Sequence, residues 1–357
     1  MNPLRALPLL LLFTTSLVFA DSGPQHQVKQ TPPVKMGTSG GSANDSSKAF
    51  CCGGTLGSAV LYDGMLHILS NNHILARSGA AATGEDTLQP GLIDSSCRAT
   101  GNIVGDFIGN VIPLGANVDA ALSKARSGMV DSSGTILDVG VPCSNIQAAT
   151  IGLPVMKSGR TTGFTTGTVQ SISMTVQIQY QQGCGKGKKF NVLYTNQIAT
   201  GNMSAGGDSG SLLVSNDGTP NPVGLLYAGS NSTTIYNPIQ DVVNAFVKNS
   251  HTFLFAGNNC GGTTLAGIEP MAAAFQGVTP GESDVDEAKR IKERHENEFF
   301  LHPGVLGVGV GAAEDNPVEA AIVLYVESPR GQRPDGLPDK VEGKKVRVIL
   351  TDTIVAQ

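Results

Sequence analysis

From residue 55 onward the chain breaks into short apolar runs separated by turn residues, and this rhythm limits its fold more than any other feature. Residues 55–61 and 65–69 read as two strands around Tyr62-Asp63-Gly64, and similar runs follow at 101–112, 118–122, 167–180, 190–194, 210–214 and 223–228. Val, Thr and Ser crowd this region, aromatics are few, and the 45 glycines supply turns. The pattern is that of an all-β barrel protein rather than a helical one. One helix is expected at 238–246, where Pro238 sits near the start and Ile239, Val242, Val243 and Phe246 share a face.

The 357 residues suit one domain of about 200 residues plus a smaller one. Residues 1–20 hold one charge, Arg5, then an apolar stretch ending in Val18-Phe19-Ala20; this predicts a signal peptide removed before Asp21. The stretch is short for a membrane span, and no later run is long enough, so no membrane association is expected after cleavage. Residues 21–49, rich in Gly, Ser, Pro and Thr, read as a flexible leader. The β-rich domain occupies 50–249, and a Gly-rich, weakly charged linker spans 250–283. Residues 284–357 read as an accessory α+β domain, with a charged helix at 284–300 and strands at 305–311, 320–327 and 345–355.

Composition excludes some partners. The net charge is -5 and no basic run exists, so nucleic acid is not expected. Export, to the medium or the periplasm, makes the six cysteines disulfide candidates. Three bridges are expected, with Cys97 joined to Cys51 or Cys52. A metal is not: Cys-x-x-Cys spacing is absent and Cys51-Cys52 are adjacent. No cofactor is expected either.

Three motifs carry the chemistry. Ser70-Asn71-Asn72-His73 follows an apolar strand, Asn117-Val118-Asp119-Ala120 places one acid in an apolar run, and Gly206-Gly207-Asp208-Ser209-Gly210 sets a serine in a glycine turn. A serine hydroxyl becomes a useful nucleophile when a base takes its proton, and a neutral imidazole does so near neutral pH. A carboxylate on the other ring nitrogen fixes the tautomer and stabilises the imidazolium. Ser209 is therefore the expected nucleophile, His73 the base and Asp119 its orienting acid. The backbone N–H groups of Gly207 and Ser209 would form the oxyanion hole. His67 lies inside a strand and is the weaker base candidate; Asp106, in Val104-Gly105-Asp106-Phe107, competes with Asp119 on the same kind of apolar setting.

Gly207-Asp208-Ser209-Gly210 resembles the nucleophile motif of trypsin/chymotrypsin-like serine proteases. Asn71-Asn72-His73 resembles the histidine motif of the bacterial Deg/HtrA branch. Ser158-Gly159-Arg160-Thr161-Thr162-Gly163 is similar to a signature of alpha-lytic protease and the streptogrisins. The resemblance covers about residues 53–247. It implies two packed antiparallel β-barrels, with His73 and Asp119 on the first, Ser209 on the second and the site between them. An Ile-Val-Gly-Gly-like start is missing, so Asp208 needs another cation, and the resemblance assigns Arg160 to that pair. It also places the wall of the specificity pocket at 202–206 and 226–230. Neither segment holds an acid, so small or medium apolar residues are expected before the cut bond.

These readings converge on a secreted serine endopeptidase acting on polypeptides. A catalytically inactive protease fold used for binding or assembly, and a broader serine esterase, are the alternatives. The C-terminal unit is expected to modulate substrate access or assembly by intramolecular contact, self-inhibition being one form; a plain stabilising appendage is the alternative.

Overall fold

The computed structural model describes residues 25–185, 187–260, 279–328 and 331–357. The expected signal peptide lies outside them. The described chain is mainly β, as expected, and forms two sheets.

The first sheet comprises β1 (Thr38–Ser42), β2 (Gly54–Leu56), β3 (Ser58–Tyr62), β4 (Met65–Ser70), β5 (Asp86–Gln89), β6 (Asn102–Val111), β7 (Ala121–Ala125) and, from later in the chain, β14 (Phe253–Phe255). Its order is β14-β3-β4-β7-β6-β5-β1-β2, so it curls without closing. The second begins with β8 (Pro154–Gly159), β9 (Gly163–Gln181), β10 (Lys189–Gly201), β11 (Leu212–Ser215), β12 (Pro222–Gly229) and β13 (Thr233–Pro238). These six pair antiparallel in a ring: β8 with β9, β9 with β10, β10 with β13, β13 with β12, β12 with β11, and β11 with β8. Closure removes the open edges such strands would otherwise present. Short helix α1 (Asn72–Leu75) follows β4, and α2 (Ile239–Phe246) follows β13.

One core joins the sheets. Leu56, Ile68, Leu69 and Leu122 from the first pack in the same cluster as Leu212, Val214 and Leu225 from the second and Val242 and Phe246 of α2. Each fully buried aliphatic contributes about 1.5–3 kcal/mol, which holds the two sheets in a fixed relation.

Two expected boundaries change. The stretch read as a flexible leader carries β1, and Val34 and Met36 within it are fully buried in the core. Its polar composition misled because Thr38, Ser39 and Ser42 are buried while their backbone pairs with β2 and β5. The stretch read as a linker opens with β14, which pairs with β3 and buries Phe253 and Phe255.

The C-terminal segment holds α3 (Glu282–Phe300), β15 (Val305–Ala312), β16 (Ala320–Glu327), β17 (Lys340–Val341), β18 (Lys344–Thr351) and β19 (Val355–Ala356). α3 begins two residues before the expected 284. The segment does not stand apart. One edge of the long strand β9 is used in turn by β8, by β15 and, at Gln179, by β19. Val323, Tyr325 and Ile354 share a cluster with Tyr180, Tyr194 and Tyr227 of the second sheet.

Candidate active site

The end of β4 is clamped by its own polar residues. Ser70 Oγ donates to the Thr55 carbonyl (2.7 Å), Asn71 Nδ2 to the Asp119 carbonyl (2.7 Å) and Asn72 Nδ2 to the Ile112 carbonyl (2.8 Å). The two asparagines beside the histidine thus tie α1 to the approach to β7, which carries Asp119. His73 Nδ1 lies 2.6 Å from Asp119 Oδ2, and the His73 backbone N–H donates to Asp119 Oδ1 (3.3 Å).

Asp119 is fully buried. A second donor meets its carboxylate: the Tyr180 hydroxyl donates to Oδ2 at 2.8 Å and is itself 2.8 Å from the Tyr194 hydroxyl. Asn237 Oδ1 accepts the Asp119 backbone N–H at 2.9 Å. Burial alone would lower the His73 pKa, but the Asp119 charge and hydrogen bond, then the Gln357 carbonyl and the Asp45 charge, outweigh it and raise the value above the ordinary histidine range. Burial holds the Tyr180 hydroxyl well above its usual range, aided by the Asp119 charge, so it stays a donor.

The serine arm is a tight turn before β11. Gly207 and Gly210 have φ of 100° and 96°, in the left-handed region that favours glycine. A Cβ at Gly210 would lie 2.1 Å from Ser70 Oγ and 2.2 Å from the Thr55 carbonyl, so the turn can approach the histidine strand only with glycine there. Among the described residues the backbone N–H groups of Gly207 and Ser209 donate to nothing, whereas the Asp208 N–H bonds the Ala205 carbonyl.

The expected pair of Arg160 with Asp208 is not formed. The Asp208 cation is Lys157, 3.3 Å away, and both side chains are fully buried. Asp208 also accepts the Thr161 N–H (2.8 Å), the Ala205 N–H (3.0 Å) and the Thr162 hydroxyl (2.6 Å). Arg160 instead forks onto Asp94, at 2.7 and 2.6 Å. Strand geometry explains the exchange: Val155 and Lys157 are buried at alternate positions of β8, whereas Arg160 falls beyond its end.

Ser209 and His73 both hydrogen-bond to Gln357, and no hydrogen bond joins the two directly among the described residues. The Ser209 hydroxyl donates to the Tyr227 carbonyl (3.1 Å) and accepts the Gln357 N–H (3.1 Å), while the Gln357 carbonyl lies 3.1 Å from His73 Nε2. A cavity of about 180 Å³ beside His73 is lined by Asp45, Cys52, Arg77 and Tyr180 among others.

The competing candidates have other partners. Asp106 is bound to Arg126, and His67 Nδ1 to the Met65 carbonyl. The cysteines pair as Cys51–Cys97, Cys52–Cys184 and Cys143–Cys260, the expected three bridges. Asp45, Cys52 and Cys184 lie close enough to suggest a metal, but the two sulfurs share one disulfide and offer no thiolate. Tyr180, Lys157, Tyr227 and Gln357 went unrecognised in the sequence. Of these only Tyr227 left a trace there, inside the segment 226–230 assigned to the pocket wall; the strand that carries Lys157 was itself unread.

No protein-family model and no curated protein matches the chain. Solved structures do. A glutamic-acid-specific serine protease is 20% identical, with a TM-score of 0.44, covering 62% of this chain and 100% of its own. Protease A of Thermobifida fusca is 19% identical, with a TM-score of 0.40, covering 58% and 92%. An alpha-lytic protease homologue is 17% identical, with a TM-score of 0.42, covering 62% and 98%. The chain is similar in structure to bacterial serine proteases of the chymotrypsin-like kind.

Proposed function

We propose that the protein is an exported serine endopeptidase that cuts polypeptides through an acyl-enzyme. Ser209 is the nucleophile, His73 the general base and later the general acid, and Asp119 the acid that holds the imidazole. The observation that carries this reading is the 2.6 Å contact between His73 Nδ1 and the buried Asp119, with Ser209 and His73 Nε2 facing one peptide segment.

In the first step Ser209 Oγ attacks the peptide carbonyl while His73 Nε2 takes its proton. The oxyanion meets the unpaired N–H groups of Gly207 and Ser209. The imidazolium then protonates the leaving amine, and water repeats the sequence on the ester. Tyr180 supports Asp119 as a charged acceptor throughout. The three disulfides, with no described helix long and apolar enough to cross a membrane, support export to the medium or periplasm.

One observation favours the inactive-fold reading: the Ser209 hydroxyl donates to Tyr227 instead of His73. A fluorophosphonate separates the two. With the chain ended at Ile354, so that Gln357 no longer engages Ser209, it should modify Ser209 alone, and Ser209→Ala should abolish labelling and turnover; a truncated protein that stays unlabelled with its fold intact belongs to the binding class.

A further inference from the structure

The residue that Ser209 and His73 meet, Gln357, directly follows β19. β19 lies antiparallel to β12, with Ala356 opposite Ala228 and Val355 opposite Gly229, and parallel to β9 at Gln179. The Gln357 N–H donates to the Tyr227 carbonyl (3.2 Å), adding one more rung toward Ser209. A peptide added to a sheet edge gains affinity from such main-chain bonds and selectivity from pockets under alternate side chains. Ile354, fully buried just before this strand, pins its entry.

The Gln357 side chain lies on Gly229: a Cβ there would sit 2.4 Å from Gln357 Nε2. Segments 202–206 and 226–230, the second of which carries Gly229, contain no charged residue and so offer a charged side chain no counter-ion of their own. Gln357 Oε1 is buried with no partner, so no donor in the site reads that oxygen, and what the structure shows holding the side chain is its fit against Gly229.

We propose that residues 355–357 occupy the cleft in the strand register that the three residues on the acyl side of a cut bond would take, closing it in cis with the Gln357 carbonyl turned to His73 instead of the Gly207 and Ser209 N–H groups, and that the site selects peptides with an uncharged, glutamine-sized residue next to that bond. This rests on the peptidase reading and names its substrate class. It replaces the expectation of an apolar residue at that position with one defined by neutrality and length.

The contact also explains how the base is silenced. Asp119 accepts from Nδ1 and the Gln357 carbonyl accepts from Nε2, so both ring nitrogens are donors and His73 is held as the imidazolium. Asp119 and Asp45 supply the facing negative charge, and Tyr180 packs edge-on to the ring. An imidazolium cannot take the serine proton. Release of the segment frees both the nucleophile and the base.

A binding test that needs no turnover decides the matter. In a Ser209→Ala background, a fluorescein-labelled peptide ending in Val-Ala-Gln is titrated by anisotropy. The protein forms are the full chain, the full chain with Gln357→Pro, and a chain ending at Ile354. The proline variant loses the N–H that meets Tyr227 and Ser209 while keeping every other residue, which guards against a truncation that fails to fold. Because the tethered segment competes at a high effective concentration, the second and third forms should bind the peptide about tenfold or more tightly than the first. Peptides ending in Val-Ala-Glu or Val-Ala-Lys should bind more weakly than the glutamine peptide. Equal affinity for all three forms overturns the closure, and indifference to the last residue overturns the selectivity. Fluorophosphonate labelling of Ser209 in a chain ending at Ile354 with the serine retained, where residues 355–357 are gone, tests the peptidase reading separately, so the two can fail independently.

Discussion

Two carboxylates, Asp119 beside the histidine and Asp208 next to the serine, are fully buried, and they are satisfied in different ways. Asp208 is closed on itself: a buried lysine, two threonine-loop N–H groups, a hydroxyl and the Ala205 N–H use up its acceptor capacity. Asp119 holds a tyrosine and a histidine, and the histidine has a second nitrogen facing the cleft. The first arrangement fixes a charge and a loop. The second transmits a charge to a group that can gain or lose a proton. Burial by itself therefore does not mark a functional acid; what does is a titratable partner that reaches the cleft.

The sharpest break of this contrast is Asp119→Asn. It keeps the shape but lets the imidazole adopt the wrong tautomer, so kcat should fall about 10⁴-fold with the melting temperature little changed. A loss below tenfold would remove Asp119 from the proposed mechanism. Lys157→Met tests the other carboxylate. It strands Asp208 as an uncompensated buried charge and should cost about 3–5 kcal/mol of stability, read in urea unfolding. A wild-type midpoint would show that the backbone donors suffice.

Arg160→Ala is the smaller companion. It removes a partly buried fork onto Asp94 and leaves the Lys157–Asp208 pair intact, so about 1–3 kcal/mol is expected. A larger loss than for Lys157→Met would return Asp208 to Arg160. The smallest effect is in the pH profile. His73 must be neutral to act, and its pKa in this arrangement is raised, so kcat/KM should climb with pH through a midpoint above the usual ~6.5. Ending the chain at Ile354 removes the Gln357 carbonyl, and the midpoint should move down; an unchanged profile would mean that the segment does not reach the base.

How much of this was legible depended on range. The strand rhythm, the helix at Ile239 and the His73, Asp119 and Ser209 motifs are local patterns, each set by a few neighbouring residues. The serine turn could be read because glycines at 207 and 210 answer a local backbone demand. The leader was misread for a complementary reason: Thr38, Ser39 and Ser42 look like surface residues until a strand on each side of β1 takes their backbone.

By itself the sequence determined the mainly β class, the three-bridge count and the residue types with chemistry to offer. Only the tertiary structure decided which cation meets Asp208, that Cys97 bridges to Cys51 rather than Cys52, that Tyr180 supports Asp119, and that the chain's own residues 355–357 fill the cleft. Each of those contacts joins residues far apart along the chain, 46 positions for Cys51 and Cys97 and 148 for Ser209 and Gln357. Side-chain direction on a strand and the register between strands choose among equally charged or equally reactive candidates, and neither is a property of a local stretch of sequence.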